Sequence, residues 1–89
     1  MRKKVAVLVR DRQQEALRMA VGLTLADNRL TVFIMDRKLE RNTDVDLALE
    51  TLQMMGARII SNNPENGFEQ LSVREIALLL PDFDAVIPY

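Results

Sequence analysis

Lys4 to Arg10 read KVAVLVR, and the fold turns on what such a run can be. Val5 through Val9 are apolar without a break, and Val5, Val7 and Val9 are β-branched. A strand with one face in water would alternate polar and apolar residues; a solid run suits a strand covered on both faces. Strands of that kind belong to parallel sheets flanked by helices. Whether helices follow is therefore the next question.

Working outward, Asp11 offers an N-cap and Gln14 completes a capping-box spacing. The residues after it predict a helix over roughly 12–26, with Ala16, Leu17, Ala20, Val21, Leu23 and Leu25 forming a wide apolar stripe. ADNR ends it, and Leu30 to Met35, LTVFIM, reads as a second solid strand. DRKLERNTD is a charged loop, after which Asn42 or Thr43 can cap a helix over about 44–55. Gly56 stands where a C′ glycine would close that helix. ARII is a short third strand, followed by a polar loop from Ser61 to Gln70. Ser72 and Glu75 repeat the capping-box pattern before VREIALLL, Pro81 stops that helix, and DAVIPY closes the chain as another strand.

Strand–helix–strand alternation with solid strands predicts right-handed crossovers and a three-layer α/β/α domain. The sheet expected is small and mainly parallel, with four to five strands. At 89 residues the chain has room for one such domain, 1–89. An apolar fraction of 48% supplies a globular core. Twelve basic residues against thirteen acidic ones leave a net charge of −1, which offers nucleic acid and anionic membranes no general attraction. The apolar run near the start ends at Arg10, too short for a signal-peptide core, so the expected location is cytoplasmic.

Cysteine and histidine are both absent. That removes disulfides, thiolate nucleophiles, zinc sites of the usual kind, and the side chain that titrates near neutrality. Met35, Met54 and Met55 read as gap fillers at element ends. No metal and no cofactor are expected.

In open parallel sheets, ligands bind beyond the carboxyl ends of the strands. Those ends carry Arg10, Asp11 and Arg12 after the first strand and Asp36, Arg37 and Lys38 after the second. Ser61, Asn62 and Asn63 follow the third, and Pro88 and Tyr89 end the last. Several familiar occupants of that rim fail on residues. A dinucleotide site needs glycines after the first strand, and VRDRQQEA has none. A phosphate-binding loop needs glycines and a Lys-Ser/Thr pair, also missing. A phospho-receiver needs paired acids after strand one and an aspartate after strand three; here stand one acid, Asp11, and an asparagine. The cations Arg10, Arg12, Arg37 and Lys38 suggest an anion site, but Asp11, Asp36 and Glu40 lie among them, and solvated ion pairs account for the same residues.

The succession VAVLV, EALRMAVGLTLADNRLTVFIMD, TLQMMGARIIS and DAVI resembles the DsrE/DsrF/TusD-like group of small sulfur-relay proteins. The resemblance spans nearly the whole chain and implies a DsrE-like, flavodoxin-like arrangement that assembles into oligomers. It also implies a sulfur-carrying cysteine just after the third strand, six residues past the glycine. Counting from Gly56 reaches Asn62, whose amide cannot hold a persulfide. The resemblance therefore implies a non-catalytic subunit or interaction module beside sulfur-relay or redox partners. The other reading is a small-ligand-binding or enzymatic domain using the polar rim. The stretch SNNPENG itself has two readings, a recognition site of amide donors and acceptors or simply good turn chemistry.

The helices carry more apolar residues than one buried stripe requires. Val73, Ile76, Leu78, Leu79 and Leu80 point in several directions, as do Leu47, Leu49, Leu52, Met54 and Met55. Self-association as a dimer or trimer is expected, with Ile76, Leu79 and Leu80 as interface candidates.

Overall fold

A computed structural model describes residues 3–89. The elements run β1 (Lys4–Val9), α1 (Gln13–Thr24), β2 (Arg29–Ile34), α2 (Thr43–Met54), β3 (Arg58–Ser61), β4 (Glu69–Gln70), α3 (Val73–Leu79) and β5 (Ala85–Pro88). Single 3₁₀ turns at Pro64–Asn66 and Leu80–Asp82 join the later ones. All strand pairs are parallel, in the order β4-β3-β2-β1-β5. The chain steps outward from β1 through β2 to β3, adds the two-residue β4, then returns to the far side of β1. The expected α/β class and parallel sheet are what the chain forms.

Period-two alternation sorts the strand residues onto two faces. Val5, Val7 and Val9 with Leu30, Val32 and Ile34 meet Leu17 and Ala20 of α1 and Val45, Leu49 and Leu52 of α2. Ala6, Leu8, Phe33, Met35 and Ile60 face the other way, onto Ile76 of α3. Two twelve-residue helices cover the first face and one seven-residue helix the second. The second layer is thin: Leu71, Leu79, Leu80 and Phe83 are only half-buried there.

Caps explain most boundaries and correct one. The Asn42 side chain accepts from the Val45 N–H at 2.8 Å, and Gly56 closes α2 at φ +83°. Ser72 and Glu75 complete the capping box, each side chain accepting from the other's backbone N–H at 3.1 Å. Asp11, by contrast, caps nothing. α1 begins at Gln13, its N-cap is Arg12, and no side chain caps it. The Asp11 carboxylate instead lies 3.1 Å from Arg37. Among the described residues no helix is long and apolar enough to cross a membrane.

Candidate functional site

A parallel sheet puts the loops after β1, β2 and β3 on one rim with Tyr89, which follows β5. Between the first two lies a groove of about 260 Å³ lined by Asp11, Arg12, Gln13, Arg37, Lys38 and Glu40. Its charges are mixed, and Asp11 and Arg37 pair while 70% exposed. Such a pair contributes little to stability and leaves little net field. Gln13 is the buried member of this wall, with its Oε1 accepting from the Glu40 N–H at 2.9 Å and its Nε2 donating to the Lys38 carbonyl at 3.3 Å. It fastens the start of α1 to the β2–α2 loop. Arg10 is exposed on the same rim but outside the groove's lining.

The loop after β3 is tied to the same β2–α2 loop by amides. The Asp36 N–H donates to Asn62 Oδ1 at 2.6 Å, and Asn62 Nδ2 returns a bond to the Asp36 carboxylate at 2.9 Å. Asn63 Nδ2 donates to the Asp36 carbonyl at 3.1 Å while its Oδ1 caps the 3₁₀ turn through the Glu65 N–H at 2.9 Å. Asn66 reaches deepest: its Oδ1 accepts from the Leu39 N–H at 2.7 Å, and its Nδ2 donates to the Arg37 carbonyl at 3.2 Å and to Ser61 Oγ at 2.9 Å. The Ser61 hydroxyl is fully buried and donates to the Ile34 carbonyl at 2.8 Å. These bonds hold Asp36 at φ +64°, a left-handed conformation that a non-glycine residue adopts only under such constraint.

Ser61, Asn62 and Asn63 are thus brought together with Asp36 and Arg37, and their polar atoms are largely occupied by the protein's own backbone. Asn62, at the position where the resemblance implies a carrier cysteine, has both amide atoms engaged by Asp36. Sequence reasoning passed over Gln13 and Asn66, which do more to join the loops than the residues it singled out. Only their amide chemistry was visible; their partners in the β2–α2 loop lie 25 to 29 residues away. Of the interface candidates, Ile76 is 1% exposed inside the chain's own second core and offers no surface. Leu79 and Leu80 are half-buried beside it, and the outward apolar residues of α3 are Val73 and Leu78.

Comparison with known proteins returns no matching family model, no matching curated protein and no matching solved structure.

Proposed function

We propose that this chain is a non-catalytic interaction module of the sulfur-relay type, a DsrE-like subunit without the carrier cysteine. In this reading it works in the cytoplasm by association, as a dimer or trimer and with a sulfur-handling or redox partner. The observation that carries it is the closure of the rim loop. At the family's reactive position stands an amide whose two polar atoms are committed to Asp36, so nothing there is free to react. Support also comes from apolar side chains left outside both cores: Leu47, Met54 and Leu78 are 61%, 79% and 73% exposed. Leu47 and Met54 stand on α2 and Leu78 on α3, so each helix layer carries exposed apolar surface of the kind docking uses.

Two measurements on the intact protein test this. Incubation with a cysteine desulfurase and labelled cysteine should leave its mass unchanged, and a cysteine-bearing sulfur carrier from the same cell should co-sediment with it. A stoichiometric gain of sulfur, or sedimentation unaltered by any such carrier, overturns the proposal. The rim groove supports a second reading, a small-ligand site using Arg12, Arg37 and Lys38. A small molecule retained through purification and seen by native mass spectrometry would favour it.

A further inference from the structure

At the opposite end of the sheet, by the amino ends of β1, β2 and β3, a groove of about 500 Å³ opens beside the end of α3. That volume is in the range of small-molecule sites. Phe33 and Phe83 back it, edge to face with ring centroids 5.8 Å apart, and Leu79 and Met55 add further apolar wall. Along β2 the alternation puts Leu30, Val32 and Ile34 into the first core, so Arg29, Thr31 and Phe33 share the other face and all line this groove. Guanidinium, hydroxyl and ring therefore stand in a column, at intervals of roughly 6.6 Å.

Two members of that column lack partners. Thr31 is only 9% exposed, yet among the described residues its hydroxyl makes no hydrogen bond, although the oxygen still reaches the groove. Thr24 and Thr51, by comparison, donate to the Val21 and Leu47 carbonyls. The hydroxyl is therefore open to the groove and available to a ligand. The cations at the mouth also differ in what they do. Lys4 sits 5.2 Å from the centre of the Phe83 ring, and Arg58 is bonded through two nitrogens to the Glu69 carboxylate. The Arg29 guanidinium has no ion pair or acceptor among the described residues.

From this column we infer that the groove binds a small carboxylic acid with an apolar or aromatic body. The carboxylate docks on Arg29 and accepts a second hydrogen bond from the Thr31 hydroxyl, while the body lies against Phe83, Leu79 and Met55. Arginine's planar fork matches a carboxylate. A monoanion is selected over a dianion because Asp82 also lines the groove and offsets part of the charge of Lys4 and Arg29. The site is distinct from the rim, and it shares Leu79 with the thin second layer.

Titration of the full-length, nitrogen-15-labelled chain with phenylacetate and with isovalerate, followed by amide chemical shifts, tests the assignment. At least one acid should give saturable shifts at Arg29, Thr31 and Phe33. Arg29→Gln, at an exposed strand start, should weaken binding about tenfold, a difference of about 1.4 kcal/mol. Thr31→Val, equal in shape but lacking the hydroxyl, should weaken it severalfold. Arg18→Gln, exposed on α1 and outside the groove's lining, should leave it unchanged. The absence of saturable shifts with both acids overturns the proposal, as does unaltered affinity in Arg29→Gln with the fold intact by circular dichroism. Equal binding of phenylacetamide, or tighter binding of phenyl phosphate, overturns the choice of a carboxylate monoanion.

Discussion

Asn66 shows what a single amide can hold. Replaced by alanine, it leaves the buried Leu39 N–H without its acceptor and takes a donor from Ser61 Oγ and the Arg37 carbonyl. A buried group stripped of its partner costs about 1–3 kcal/mol, so Asn66→Ala should lower unfolding stability by about 2–3 kcal/mol in urea titration. Asn62 makes two bonds against the three of Asn66, in an exposed setting where water replaces them. Asn62→Ala should therefore cost about 1 kcal/mol or less. The contrast is not written in SNNPENG, where the asparagines look alike. Turn chemistry could be read there; depth could not, because it depends on where the β2–α2 loop comes to rest.

Helix ends expose the same limit from the other side. The Ser72–Glu75 box and the Asn42 cap depend on neighbours three residues away, and local pattern sufficed to find them. Ser72→Ala should cost about 1 kcal/mol. The α1 cap failed because the helix starts at Gln13, which is tied to the distant Lys38 and Glu40 backbone, so Asp11 falls one residue before the N-cap position. That start remains uncapped, so Arg12→Ser should raise stability by about 0.5 kcal/mol, read as a shift in the urea midpoint. The two-residue β4 also escaped notice, having no apolar pattern to mark it; the Arg58–Glu69 pair fastens it across to β3. Hydrogen bonding from Arg58 holds the Glu69 carboxyl below its ordinary range. Stability from this pair is present above the ordinary carboxylate pKa and lost as pH falls through the lowered one. Both side chains are about half exposed, so the amount is small, about 0.5 kcal/mol. The stability difference between the native chain and Glu69→Gln should be near that value at neutral pH and vanish in strong acid.

Across the whole molecule, the solid strands specified the architecture because a run like VAVLV has few other uses. They could not apportion the helix surplus. Leu49, Leu52 and Ile76 went into the cores, while Leu47, Val73 and Leu78 stayed outside. If the proposed association uses the thin second layer, sedimentation equilibrium at micromolar concentration should give a dimer or trimer. Leu78→Glu should then dissociate it with a change in monomer stability of about 0.5 kcal/mol or less. Leu79→Glu should unfold the monomer itself, since Leu79 already packs on the second core, and a charge swap at exposed Arg74 should do neither. A monomer at that concentration would show that Leu78 is ordinary exposed surface.

The rim loop also sets how the protein ages. Asn66 precedes Gly67, a pairing prone to deamidation because glycine does not hinder attack of its own nitrogen on the asparagine side chain. In the fold that attack is obstructed: the Asn66 amide is held by Leu39 and Ser61, and the Gly67 N–H points to the Pro64 carbonyl at 3.4 Å. Unfolding frees both. The aspartate or isoaspartate formed would bring a negative charge to a buried site whose amide had donated to a carbonyl, and refolding would suffer. Damage should therefore accumulate with time spent unfolded rather than with calendar age. Chains held in urea and then returned to buffer should carry modified Asn66 in peptide mass spectra, in proportion to the incubation, while chains kept folded should not.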